Sequence, residues 1–341
     1  MSVTKVPKAH SRRTFWCFIW GMKLVSSDEL SLTSNQRAIQ LLARDVLCRD
    51  VGDRLPTSAQ YREQFGVGSG TVQKALRILE DAGAAAFTSR GHQGTFVVGR
   101  HIGRLWAMGE LGVVTAAMPL PDSPEGAGLG AALRDEFDRL GIPLQMRYMY
   151  GSGKRLDAVS AGRADFAVLS AGAAANARSS WRGGNWIERD LGPYSYYREG
   201  SLVVLERPGL CEGDGEGVRT IGISRDSYDQ SRLTLAEFPE SGDYRYEEHE
   251  CLQIPAAVAG GLIDTAVWHR ITLPIPLEML GVTSRPLARP DAVAAIDVLS
   301  RGVALAAGAS PQIEALVLRL DVERIKDVQG RVIRGEMPPV F

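Results

Sequence analysis

The sequence predicts an α/β protein in two parts, a small helical unit with a β-hairpin at 31–99 and a larger bilobal α/β unit at 105–341. Three observations predict this. A chain of 341 residues, 45% hydrophobic and 23% charged, has enough apolar material for more than one core and excludes a disordered or fibrous protein. Residues 1–104 carry 15 Lys and Arg against 8 Asp and Glu, whereas the remainder carries 24 against 32, so a near-neutral total hides a basic front and an acidic back. The apolar pattern also changes after Gly103, from helical spacing to short apolar strands alternating with helices.

Residues 1–30 are read as an N-terminal extension. Lys5, Lys8, Arg12 and Arg13 precede the apolar run 14–20, superficially like a secretory leader, but no small-x-small cleavage site follows. Met22 is the expected start, with 1–21 upstream of it; the alternative is a disordered or membrane-touching arm. No apolar run reaches the roughly 20 residues of a membrane-spanning helix, so no membrane partner is expected. Cys17, Cys48, Cys211 and Cys251 form no C-x-x-C and the five histidines no H-x-x-x-H, so no metal site is expected and a reducing cytoplasm is the simplest location.

From Ser31, Ile39, Leu42, Val46 and Leu47 recur at helical spacing until Gly52-Asp-Arg-Leu-Pro56 ends the segment. A second helix capped by Thr57 or Ser58 runs through Phe65, a turn follows at Gly66-Val67-Gly68, and a third helix opens at Ser69 and continues to Ala82. This is a helix-turn-helix. With Val72, Leu76 and Leu79 inward, Ser69, Gly70, Thr71, Gln73, Lys74 and Arg77 are left for the major groove, Gln73 suited to adenine and Lys74 or Arg77 to guanine or phosphate. Strands at 85–89 and 95–98 around Arg90-Gly-His-Gln-Gly94 make a wing whose Arg90 and His92 approach the DNA backbone.

Gly52-Asp-Arg-Leu-Pro-Thr57, Phe65-Gly-Val67, Thr71-Val72, Ala75-Leu76, Leu79-Glu80, Gly83 and Gly94-Thr-Phe-Val97 resemble the winged helix of GntR-family transcription regulators. Ala59, Ser69 and Gln73 stand where many members carry arginine, so the operator is not expected to follow the family's usual half-site. Gly70-Thr-Val-Gln-Lys-Ala-Leu76 with Arg90-Gly-His-Gln-Gly-Thr95 is closer to the YhfZ-type subgroup, whose C-terminal half resembles a periplasmic-binding-protein fold. The resemblance implies operator DNA contacts at Thr57, Ser58, the third helix and the wing.

In the back unit, strands are expected at 111–115, 143–150, 165–170, 202–205 and 219–223, helices at 130–140 and 155–161, a loop at 117–123 and a connection at 208–217. Ala161-Gly-Arg-Ala-Asp165 and Ala259-Gly-Gly-Leu-Ile-Asp264 repeat one unit: helix, glycine stop, aspartate, buried strand. Two such lobes, the second at approximately 206–265, with 292–307 returning to the first, are similar to a type II periplasmic-binding-protein-like domain. Met118-Pro-Leu-Pro121, Asp226 and Asp229-Gln230 carry the likeness to the YhfZ C-terminal domain.

In such a fold the ligand sits at strand ends and helix N-termini. Candidate effector contacts are Ser123, Ser152, Lys154, Ser170, Ser224, Ser227, Asp229, Gln230 and Trp268, with His269 beside it. Each serine alone is also a plain helix cap. Tyr194, Tyr196, Tyr197, Trp181 and Trp186 read as core or lobe interface. Gly126-Ala-Gly-Leu-Gly130 is not a nucleotide loop, no P-loop or G-x-S-x-G occurs, and Asp264 with His269 reads as a cap and a surface residue. The expectation is a DNA-binding regulator, a homodimer without cofactor, whose effector is a small anionic metabolite. The alternative is an enzyme on the α/β scaffold fused to the head, with Lys154 supplying a Schiff base.

Overall fold

The computed structural model describes residues 33–207, 209, 218–270 and 275–341. The N-terminal extension and most of the connection at 208–217 lie outside the described residues.

The head is three helices and a hairpin. Thr33 and Gln36 form a capping box that starts α1 (Ser34–Cys48), whose Leu42, Ala43, Val46 and Leu47 are buried. Thr57 and Gln60 repeat the device at α2 (Ser58–Phe65), which Gly66 ends in a left-handed conformation. Helix α3 (Ser69–Asp81) buries Val72, Ala75 and Leu79. Antiparallel β1 (Ala85–Ser89) and β2 (Thr95–Arg100) form the wing.

Helix α4 (Ile102–Met108) does not act as a free linker. Its Leu105 and Trp106 are buried, and the Trp106 indole donates to the Gly112 carbonyl at 2.8 Å. They belong to one apolar cluster that runs without a break from Ala38 and Leu79 of the head to Phe137, Phe166, Leu316 and Ile325 of the first lobe. Arg319 and Arg100 both donate to Asp50 Oδ1, at 2.8 and 3.0 Å, across the same junction.

Lobe 1 is a five-stranded sheet of order β4 (Leu144–Tyr148), β3 (Val114–Met118), β5 (Phe166–Ser170), β12 (Gly302–Ala307), β6 (Trp186–Gly192). The first three strands are parallel, and β12 is antiparallel to both its neighbours. Helices α5 (Pro124–Leu140), α6 (Ser152–Ser160), α7 (Ala171–Ser180), α11 (Pro311–Leu318) and α12 (Val322–Ile333) cover it. Lobe 2 has the order β11 (Thr283–Pro286), β7 (Leu202–Glu206), β10 (Thr265–His269), β8 (Arg219–Ile223), β9 (Tyr244–Glu248), with α8 (Tyr228–Glu237), α9 (Ile254–Ala259) and α10 (Pro290–Leu299). Its sheet thus draws strands from both sides of the 206–265 span expected from sequence.

Three elements differ from the sequence reading. Strand β3 is displaced toward 114–118, so Ala117 and Met118 pair with β4 rather than entering a loop. Helix α5 begins six residues earlier than expected, because Ser123 caps it and Pro124 occupies its first turn. The glycines of this run sit where there is no room for a side chain: a Cβ on Gly128 would stand 3.0 Å from Gln329 of α12, one on Gly126 2.5 Å from the Leu120 carbonyl and one on Gly130 2.9 Å from Phe341 and Tyr148. Strand β6 is half-buried and alternates weakly, which hides it from a period-2 reading.

The chain crosses between lobes at 193–201 and 299–302, and the crossovers are tied together. The Tyr196 amide donates to the Ser300 carbonyl at 2.9 Å and the Gly302 amide to Ser195 Oγ at 2.9 Å. Among the described residues no helix is long and apolar enough to cross a membrane, and no cluster of three or more metal-ligating side chains occurs.

Candidate DNA-binding head and effector cleft

The head presents a polar, exposed helix face and an exposed wing tip. Gly70, Gln73, Lys74 and Arg77 are exposed on α3, Ser69 and Thr71 half-buried at its start. Thr57 Oγ1 accepts the Gln60 amide, so its hydroxyl is committed to capping α2, and Ser58 stands half-buried beside it. Arg90 lies over the Phe96 ring, 4.6 Å from its centroid, which holds its guanidinium beside the turn of the wing, while His92 is exposed on that turn between the strands. A helix-turn-helix whose recognition face is free while its apolar face is locked is what groove reading requires.

Between the lobes lies a cavity of about 80 Å³. Lobe 1 lines it with Asp122, Ser123 and Glu125 after β3 and with Tyr150, Ser152 and Arg155 around the start of α6. Lobe 2 contributes Ser227, Asp229, Gln230, Cys251, Trp268 and His269, and the first crossover contributes Ser195, Tyr196 and Tyr197. Ser123, Ser152, Ser227, Asp229, Gln230 and Trp268, all candidates from sequence, therefore come together from both lobes.

Three candidates do not line it. Ser170 Oγ caps α7 and donates to Asp229 Oδ1 at 2.6 Å, tying lobe 1 to lobe 2 behind the cavity. Ser224 is buried under Gln230, whose Oε1 accepts its amide at 2.7 Å. Lys154 is exposed because its long chain leaves the first turn of α6 toward solvent, where Nζ stands 3.9 Å from Asp226 of the opposite lobe. His269 is not the surface residue expected: its ring packs edge-on to Tyr197 at 4.7 Å, and Nε2 is 3.9 Å from Glu125 Oε2.

Sequence reasoning missed Asp122, Glu125, Tyr150, Arg155 and Cys251 as site residues. Asp122 and Glu125 flank Ser123 on a loop already singled out, so position was available as a signal. The aromatic cluster divides: Tyr196 and Tyr197 wall the cavity, whereas Trp181 and Trp186 pack together, 5.5 Å apart, in lobe 1. Nothing local distinguishes the two sets.

Burial sets the electrostatics of the wall. It pushes the Asp122 carboxyl above the ordinary aspartate range, against the opposing pull of His269. It does the same to Asp229, against the hydrogen bonds from Ser170 and Tyr197. Burial also pushes Glu125 up, but His269, its own backbone amide and Arg198 together outweigh it and hold the carboxyl below its usual range. The Cys251 thiol and Tyr196 phenol are each pushed up to about 12 by burial and so stay protonated at neutral pH.

A winged head joined to a bilobal, cleft-bearing domain defines a class of helix-turn-helix proteins with a two-lobed α/β body. Within that class the chain belongs to the YhfZ family: a profile described as the YhfZ C-terminal domain matches residues 102–341, and one described as a helix-turn-helix domain matches 50–97. YhfZ of Escherichia coli strain K12 is 28% identical over 305 residues, 89% of this chain and 96% of that protein. The crystal structure of YhfZ from Shigella flexneri is 27% identical and superposes with a TM-score of 0.53, over 70% of this chain and 97% of its own. A zinc-bound ligand-binding component of an ABC-type import system from Staphylococcus aureus aligns at 17% identity and TM-score 0.45, over 67% of this chain and 80% of its own. The YhfZ likeness read from the sequence is thus shown, while the match at 50–97 is to a helix-turn-helix domain and does not extend to the GntR family.

Proposed function

We propose that this protein is a cytoplasmic transcription regulator, a homodimer whose GntR-type heads engage two operator half-sites about 34 Å apart and whose interlobe cavity takes a small-molecule effector. One observation carries the reading: the head shares a core with lobe 1, while the cavity takes its walls from both lobes and the crossover between them. Opening or closing lobe 2 then changes the placement of a head that cannot move independently of lobe 1. A coupling of about 1–3 kcal/mol is enough for a useful switch. Gln73, Lys74 and Arg77 read bases or hold phosphate, and Arg90 and His92 contact the backbone beside the groove.

The sequence expectation of an anionic effector draws on the helix N-termini that meet the cleft; the carboxylates of its wall favour the opposite sign. The enzyme alternative loses its Schiff-base lysine, because Lys154 is exposed outside the cavity lining.

The test is fluorescence anisotropy with DNA from upstream of the protein's own gene at two salt concentrations, beside a Lys74→Ala, Arg90→Ala double variant. Tight, competitor-resistant binding that the variant loses, with a shallower salt dependence, is expected. Absence of specific binding by the unmodified protein, with the variant indistinguishable from it, sinks the regulator reading.

A further inference from the structure

We propose that the effector is a small organic amine, held as a protonated nitrogen between Glu125 Oε2 and Asp122 at the floor of the interlobe cavity. The proposal rests on the sensor reading and assigns the chemistry of its ligand.

The wall carries three carboxylates, Asp122, Glu125 and Asp229, against one guanidinium, Arg155. Two of the three Arg155 nitrogens are occupied within the protein, Nη1 donating to the Met149 carbonyl at 2.7 Å and Nη2 to Tyr196 Oη at 2.6 Å, while the buried Nε has no partner. Asp229 is occupied too, with Oδ1 accepting from Ser170 and Oδ2 from Tyr197 at 3.0 Å. Glu125 differs. Its side chain is fully buried and Oε1 accepts from Arg198 at 2.9 Å, but Oε2 has no hydrogen-bond partner. His269 Nε2, which also lacks a hydrogen-bond partner, stands 3.9 Å away, within ion-pair range when the imidazole is protonated but too far for a hydrogen bond. A buried carboxylate oxygen without a donor is costly, and a positively charged donor meets that need best.

The helix N-termini do not restore an anion site. Ser123 caps α5 through the Gly126 amide, Ser170 caps α7 through that of Ala173, and Ser227 caps α8 through that of Gln230. Only α6, opened by Gly151, has no side-chain cap among these four. Tyr150, Tyr196, Tyr197 and Trp268 line the same cavity, and aromatic faces favour cations, while the buried Trp268 Nε1, which has no partner, is left to donate to an acceptor on the same ligand.

Melting temperature and calorimetry of the full-length protein would be read with methylamine, butylamine and putrescine against acetate, butyrate and succinate, each at about 10 mM, and with a small-molecule cell extract. At least one amine is expected to bind and raise the melting temperature, with Glu125→Gln and Asp122→Asn each weakening it at least about tenfold. Asp122→Asn keeps the test sound if Glu125→Gln does not fold, since no other side chain hydrogen-bonds to Asp122 among the described contacts. Binding of the acids alone, silence from every amine, or amine binding that both variants retain would overturn the proposal. If the extract stabilises the protein while no amine does, the amine falls and the sensor stands; if the extract also fails, both fall.

Discussion

Asp165 in lobe 1 and Asp264 in lobe 2 hold equivalent places. Each follows a glycine stop, each donates its amide to a threonine carbonyl on the neighbouring strand (Thr115 or Thr220), and each accepts that threonine's amide on its own carboxylate, at 2.7 and 2.8 Å. The surroundings of the two lobes differ. Lobe 1 shares its core with the head, whereas lobe 2 has cores of its own and meets the rest through two crossovers, the cleft, where Ser170 and Asp229 join, and α7, whose Gly172 packs against Leu299 of α10. The same local unit therefore stands in one lobe that shares its core with the head and in another that does not, and attachment rather than construction separates the two.

The largest expected effect breaks the core that the head and lobe 1 share. Trp106→Ala removes a buried indole from the shared core and its hydrogen bond to Gly112, at a cost of about 3–5 kcal/mol. Calorimetry should show the head and lobe 1 losing stability together; a head that melts early by itself would refute the shared core.

Asp165→Ala and Asp264→Ala sharpen the comparison. Each removes a charged acceptor from a strand amide, about 1.5–3 kcal/mol. Hydrogen exchange should spread from Thr115 into the head for the first and stay within lobe 2 for the second. Equal spread in both would erase the distinction.

Ser170→Ala tests the link between the lobes. It leaves Asp229 Oδ1 without its donor, and small-angle scattering should report a more open cleft at a cost of about 1–3 kcal/mol. An unchanged profile with weakened effector binding would confine Ser170 to local support.

Acidification addresses the cleft charge. Asp122 and Asp229, pushed up by burial, take up protons above the ordinary aspartate value of 3.8, while Glu125 stays ionised longest. Amine affinity, measured by calorimetry, should fall severalfold as pH drops from 7 toward that range, and an affinity that rises instead would point to an anion.

The smallest effect is at the junction. Asp50 is held below its usual range by Arg319 first and Arg100 second, so its contribution is present above the ordinary aspartate range and lost as pH falls through its lowered value. Because Asp50 is exposed, Arg319→Ala should cost less than about 1 kcal/mol by denaturant titration, and a larger loss would make the pair a structural latch.

The sequence by itself determined the elements whose chemistry is local. The capping box at Thr57, the left-handed Gly66, the polar face of α3 and the paired Asp165 and Asp264 units are legible because each depends on residues within a few positions of one another. Half of the cleft was legible for the same reason, since Ser123, Ser152 and Ser227 sit where helices start. Tertiary structure decided the rest. Glu125 meets His269 across 144 residues of chain, Tyr197 rather than Trp186 reaches the cavity, and the Gly126-to-Gly130 run lies in a helix whose glycines meet the Leu120 carbonyl, Gln329 and Phe341. Spacing reports periodicity and capping, but the sign of a pocket depends on which buried charges find partners, and those partners come from distant chain brought together by packing.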